Sequence, residues 1–274
     1  MTIAADHHPD AAPALWLRSV AKAYGPTQVL RGIDLAVQAG ERLALIGPNG
    51  AGKSTLFDLV SGRQRSSAGE IRLHGRRIDG LPVHRIHRLG LARSFQVSQL
   101  FPRLTVLQNL HCALLWPLGL RYAFWRGLHG GSAGRQALER AHAVLALFGL
   151  STRADVPAAE LSYAEQRALD VAIALAGDAR VLLLDEPTAG MSRSETAAFV
   201  ALLRQSTAGR TLLIVEHDMS VAFTLADRVA VLAQGELIAC GTPAEVRADP
   251  RVRQAYAGVA ASHDGNLPLA PPPC

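Results

Sequence analysis

The stretch GPNGAGKST (47–55) fits the pattern G-x-x-x-x-G-K-[ST]. It follows a short apolar run, RLALIG (42–47), and opens a helical pattern, KSTLFDLVSG. That context suits a loop that wraps an anion. Its glycines let backbone N–H groups curl around phosphate oxygens, and the helix N-terminus adds positive potential. Lys53 is the residue to reach β and γ phosphates, and the Ser54 hydroxyl the one to hold Mg²⁺. A second apolar run, RVLLLDE (180–186), ends in two carboxylates. Solvated acids at a strand end would be the plain reading of that run alone. Beside a phosphate loop, Asp185 suits orienting a metal, and Glu186 suits the water that attacks a γ phosphate. A positioned base is worth roughly 10² to 10⁴ in rate. LLIVEHD (212–218) sets His217 at the end of a third run. A lone histidine is more often structural or exposed. This one is expected at the same sheet edge as Lys53 and Glu186, which favours a γ-phosphate contact. Gln96, in RSFQ, follows a strand-like run and by itself implies nothing. Tyr24, in KAYGPTQVL, is equally compatible with a core ring and with stacking on an adenine.

The elements around these residues alternate. The three apolar runs suit strands buried on both faces of a largely parallel sheet. Helical patterns follow each of them: KSTLFDLVSG, SRSETAAFVALLRQS and MSVAFTLAD. This is α/β organisation. Residues 15–40 lack a helical period and suit antiparallel strands. LTVLQNLHCALL, GRQALERAHAVLALFGL and residues 162–176 make a helical block within the α/β core, interrupted by a Gly/Trp-rich insert (116–134). VAVLAQGELIACGTPAEV reads as a hairpin around Gly235 and then a helix from Pro243. In ELSYAEQRALD (160–170), Ser162 and Glu165 form S-x-x-E, a capping box. Ala168, Ala172 and Leu175 continue one face of the helix behind it.

Composition narrows the class. The chain has 274 residues, 49% hydrophobic and 5% aromatic, enough for a sizeable aliphatic core. Cys112, Cys240 and Cys274 have no metal-ligand spacing, and a sparse, odd set suggests a reducing compartment. The N-terminus lacks a basic start and an apolar stretch, so no signal peptide is expected. LHCALLWPLGL (110–120) is too short for a membrane span. The net charge is +5, but no Lys/Arg run with interleaved aromatics supports nucleic-acid binding. Residues 1–13 and the Pro-rich 259–274 read as tails.

The ordered set GPNGAGKST, SFQ, LSYAEQR, LLLDEPTAG and VEHD resembles the ATP-binding-cassette (ABC) ATPases over about residues 14–258. The resemblance implies a P-loop NTPase (RecA-like) α/β core with an antiparallel β subdomain and a helical subdomain inserted at about 97–177. It implies ATP and Mg²⁺, and two cassettes stacked head to tail with two ATP molecules between them. Tyr24 would stack on adenine. Gly47, Pro48, Asn49, Gly50, Ala51, Gly52, Lys53, Ser54 and Thr55 would wrap the phosphates. Ser54, Gln96 and Asp185 would serve the metal, and Gln96 would link it to the transporter interface. Glu186 would be the catalytic base and His217 the γ-phosphate contact. Ser162, Tyr163, Ala164 and Glu165 would face the partner's ATP.

FPRLTVLQNL (101–110), the 116–134 insert, VEHDM and GTPAEVRADPRVRQAYAG (241–258) resemble the importer subgroup for branched-chain amino acids and related amide or urea-type substrates. That implies membrane permease partners, a substrate-binding protein in the assembled importer, and a place on the cytoplasmic face of the inner membrane. Two residues depart from the family pattern. Ala164 replaces a glycine of LSGGQ, and Ser192 stands where an Asp or Asn bonds across the dimer. They motivate a second reading, a weakly hydrolysing regulatory half of a heterodimer. A soluble ABC ATPase acting on DNA or ribosomes is a third, without the tandem cassette or coiled-coil insertion it would need.

Overall fold

Two sheets share the chain in the computed structural model, which describes residues 12–94, 100–115, 132–177 and 179–260. Gln96, most of the 116–134 insert and most of both tails lie outside the described residues. The first sheet has four strands: β1 (Leu15–Tyr24), β2 (Thr27–Val37), β4 (Ala68–Leu73) and β5 (Arg76–Arg77). They pair antiparallel in the order β2-β1-β4-β5. Leu15 and Leu17 lie two apart on β1 and both are buried, as strand periodicity requires. The antiparallel reading of residues 15–40 therefore holds.

The second sheet has six strands: β3 (Arg42–Ile46), β6 (Leu91–Arg93), β7 (Val181–Asp185), β8 (Thr211–Val215), β9 (Arg228–Ala233) and β10 (Glu236–Gly241). Their order is β10-β9-β3-β8-β7-β6, parallel throughout except for the β9–β10 hairpin. That hairpin turns at Gln234 and Gly235, both at positive φ (52° and 82°), the requirement of a two-residue type I′ turn. It is the hairpin expected around Gly235. Every residue of β7 and β8 is buried, which explains why both strands read as unbroken apolar runs.

The alternating side chains of β8 face two different cores. Leu212 and Ile214 pack with α3 (Val106–Leu115), α4 (Ser132–Leu147) and α5 (Tyr163–Ala176), through Leu110, Leu114, Ala141, Leu145, Leu169 and Ala172. Leu213 and Val215 pack with the antiparallel sheet and with α1 (Lys53–Val60), through Leu17, Val20, Ile71, Leu56 and Phe57. Full burial of each such side chain is worth about 1.5–3 kcal/mol. The helical block lies between β6 and β7 in the chain. A third cluster joins Ala44, Ile46, Val229 and Val231 to α7 (Met219–Leu225), α8 (Pro243–Ala248) and α9 (Pro250–Ala260). Short α2 (Val83–Arg88) and α6 (Arg193–Ser206) complete the described α-helices.

Parallel pairing sends one end of every core strand to one edge. Asp185 is in register with Val215, and Leu45 with Val215 on the other side. The residues that follow, Gly47, Glu186, Glu216 and His217, leave the sheet together. That edge is where open α/β sheets bind ligands.

Candidate functional site

The glycine-rich loop leaves β3 at Gly47. A Cβ there would lie 2.0 Å from the Leu232 carbonyl oxygen, so only glycine passes under β9. Gly52 precedes α1 at φ 105°, and a Cβ would meet Leu30 Cδ2 at 2.7 Å. No described side chain caps α1, so its first N–H groups remain for a ligand. Lys53 is buried and donates to the carbonyls of Gly47 (2.6 Å) and Pro48 (3.0 Å). Burial pulls its pKa down, while the charges of Glu186 and Asp185 oppose that.

A cavity of about 300 Å³ is lined by Val29, Asn49, Gly50, Ala51, Gly52, Lys53, Ser54, Thr55, Glu186 and His217. The three runs singled out in the sequence thus meet in one space. His217 Nε2 stands 2.6 Å from Glu186 Oε1, so the imidazole holds the carboxylate at the cavity wall. Glu186 sits at φ 47°, unfavourable for a residue with a Cβ. Its neighbours fix that backbone. Glu186 N donates to Val215 O at 2.9 Å. Two residues on, Thr188 donates to Glu216 Oε1 through N (3.2 Å) and Oγ1 (2.8 Å).

Glu216 is only 3% exposed. Burial pushes its pKa up to about 7 against the Thr188 hydrogen bonds, and the charge of Glu186 adds to the rise. The sequence reading gave Glu216 no role. Its signal was a carboxylate directly after the buried run LLIV.

Asp185 ends β7 as expected, but it does not stand alone. Its Oδ2 accepts from Arg93 Nη2 at 2.9 Å. Nothing in the sequence pointed to Arg93. The Ser54 hydroxyl and the Asp185 carboxylate are hard oxygen donors. Among the described residues, no cluster of three or more His, Cys, Asp or Glu could hold a metal by itself. The two oxygen donors fit Mg²⁺, which is bound through one or two carboxylates plus substrate phosphates.

Ser162, Tyr163, Ala164 and Glu165 do not line this cavity. Ser162 caps α5 and the capping box is complete. Ser162 Oγ accepts from Glu165 N (3.3 Å), and Glu165 Oε2 accepts from Ser162 N (2.8 Å). Glu165 Oε1 also takes Arg153 Nε at 3.0 Å, and these bonds hold its pKa down against partial burial. Tyr163 is exposed, and its hydroxyl accepts from Arg167 Nε (2.9 Å) and Nη2 (2.6 Å). Its ring covers Gly190, where a Cβ would meet it at 3.2 Å. Ser192 caps α6 with a second box, its Oγ donating to Glu195 Oε2 at 2.6 Å.

Tyr24 is exposed, which removes the core-ring reading. Its hydroxyl donates to Gln64 Oε1, and Lys22 Nζ lies 4.7 Å from the ring centre. It does not line the cavity. Gln96 falls outside the described residues.

Comparison with known proteins agrees with this geometry. Residues 30–189 match the ABC transporter family model, and residues 236–260 match that of the branched-chain amino acid ATP-binding cassette transporter. The high-affinity branched-chain amino acid transport ATP-binding protein BraF of Pseudomonas aeruginosa is 37% identical over 255 residues, covering 90% of this chain and 99% of that one. The protein LivG of Escherichia coli K12, described in the same words, is 34% identical over 252 residues with the same coverage. Among solved structures, the ADP conformation of MJ1267, an ATP-binding cassette of an ABC transporter, superposes with TM-score 0.79 at 27% identity. That match covers 89% of this chain and 98% of the other. The cassette cbiO1 of Clostridium perfringens, part of the transporter complex cbiONQ, gives 0.75 at 28% identity, covering 91% and 95%. With its glycine-rich loop, its carboxylate-bearing strand and these relatives in agreement, the chain belongs to the family of ATP-binding subunits of ABC transporters.

Proposed function

We propose that this chain binds and hydrolyses ATP to drive an importer for branched-chain amino acids or related amide and urea-type substrates. The observation that carries the reading is the shared cavity of Lys53, Glu186 and His217. The matching C-terminal family model and the names of the relatives support the substrate class. The described residues hold no helix long and apolar enough to cross a membrane. In this reading separate permeases span the bilayer, a substrate-binding protein delivers the cargo, and the chain works at the cytoplasmic face of the inner membrane.

Residues 47–55 bind the phosphates through backbone N–H groups, and Lys53 turns from its loop carbonyls to the β and γ oxygens. Ser54 and Asp185, with Gln96 by resemblance, would hold Mg²⁺. The metal, when bound, neutralises charge on the β and γ oxygens. Glu186 accepts the proton of the attacking water, and His217 orients that carboxylate and reaches the γ phosphate. Tyr24 supplies an exposed ring for adenine. Residues 162–165 of a second cassette complete the site, so ATP closes the dimer and hydrolysis reopens it. The helical block passes that motion to the permeases.

Glu186→Gln should bind ATP, form a stable ATP-bound dimer and lose turnover by at least about 10². An unchanged ATPase rate would refute Glu186 as the base. The second reading, a weakly hydrolysing regulatory half, draws on Ala164 and on Ser192, whose hydroxyl bonds to Glu195 within its own chain. Ordinary turnover by the purified homodimer would remove it.

A further inference from the structure

Arg93 is buried among carboxylates outside the cavity. Its side chain is 7% exposed and that of Asp185 9%. Nη2 donates to Asp185 Oδ2 at 2.9 Å, while Nη1 donates to Asp58 Oδ1 (2.7 Å) and Ser61 Oγ (3.0 Å). One guanidinium therefore ties β6 to β7 and to α1, the helix that begins with Lys53 and Ser54. The network continues outward. Gln64 Nε2 donates to Asp58 Oδ2 at 3.2 Å, and Gln64 Oε1 accepts from the Tyr24 hydroxyl.

We propose that Arg93 is a positioning residue for Mg²⁺ binding: its fork fixes Asp185 Oδ2, and with it the orientation of a carboxylate that would hold the cation, relative to the helix that carries Ser54. The inference rests on the reading of Asp185 as a Mg²⁺ ligand. Two physical points distinguish it from a merely structural ion pair. First, burying charge gains little net stability even when it is well paired, so packing alone gives no reason for an arginine here. Second, the geometry needs a fork. A planar guanidinium reaches Asp58 and Asp185 with different nitrogens, whereas a lysine brings one point charge. Partners that hold a ligating carboxylate typically change metal affinity 10- to 100-fold when removed.

The test uses the whole chain and a fluorescent ATP analogue, titrated with Mg²⁺ or in EDTA. Arg93→Lys keeps the charge and loses the fork. It should keep metal-free nucleotide affinity within about twofold and raise the Mg²⁺ concentration for half-maximal binding and for ATPase by about tenfold. Asp58→Asn leaves the Asp185 contact but weakens its anchor, and should move the same midpoint less, in the same direction. Asp185→Asn is the reference. If it shifts the Mg²⁺ midpoint while folded Arg93→Lys and Asp58→Asn do not, Arg93 has no positioning role. If Asp185→Asn itself shifts nothing, the metal assignment fails first. Should Arg93→Lys not fold, as a thermal melt would reveal, Asp58→Asn decides: an unmoved midpoint overturns the proposal.

Discussion

Helix α1 starts at Gly52 with no described side chain on its first amides, whereas α5 starts at Ser162 with both members of a capping box in place. Both ends carry the partial positive charge of a helix N-terminus. At α1 that charge faces a cavity, and the residue that could have capped it is a glycine in a left-handed conformation. At α5 an internal carboxylate, Glu165, already occupies the end. The first terminus is built to take an external anion. The second is stable by itself, and a phosphate arriving there meets a negative charge. An anion site at a helix end therefore depends less on the dipole than on whether the chain has already satisfied it.

Three measurements would break or sharpen this contrast. The largest effect belongs to α1. Lys53→Ala should weaken ATP binding roughly a hundredfold, the equivalent of about 3 kcal/mol for lost charge-assisted bonds. Equilibrium titration with a fluorescent nucleotide reads it, and a change below fivefold would mean that the loop amides suffice alone.

An open end also needs walls that hold their shape, and Glu216 braces one of them through Thr188. Its folded pKa of about 7 lies above the ordinary 4.5, so the folded state keeps a proton that the unfolded state releases. Stability from this group is therefore present below the unfolded value and falls as pH rises from about 4.5 to about 7, by at most about 3 kcal/mol. Glu216→Gln should flatten that slope. Urea unfolding at pH 5, 6 and 7 compares the two proteins, and parallel slopes would remove Glu216 as the titrating group.

The smallest effect belongs to α5. Glu165→Gln keeps a capping oxygen and removes the charge, so ATP-driven dimerisation should rise about two- to fivefold. Light scattering in a Glu186→Gln background measures it. Weaker dimerisation would show that Glu165 stabilises the closed pair instead.

The contrast also marks what the sequence could carry. The glycine loop, the three buried strands and the Ser162–Glu165 box are local patterns, and each was legible. Arg93 was not, because its partners Asp58 and Asp185 lie 35 and 92 residues away and nothing near Arg93 points to either. Thr188 and Glu216, 28 residues apart, were hidden for the same reason. Strands β4 and β5 were hidden too, since β4 pairs with β1 far upstream and β5 is two exposed arginines paired only with β4. Tyr24 was ambiguous until its exposure was known, because an aromatic at a strand end suits either side.

Strand β8 has the helical block on one side and the antiparallel sheet on the other, with successive side chains committed to opposite cores. Close-packed interiors give very little before they resist. A push on the helices therefore cannot be absorbed as local slack. It reaches a five-residue strand that continues directly into Glu216 and His217. The packing of the helices and the position of the Glu186 carboxylate thus meet at a single strand end, through His217.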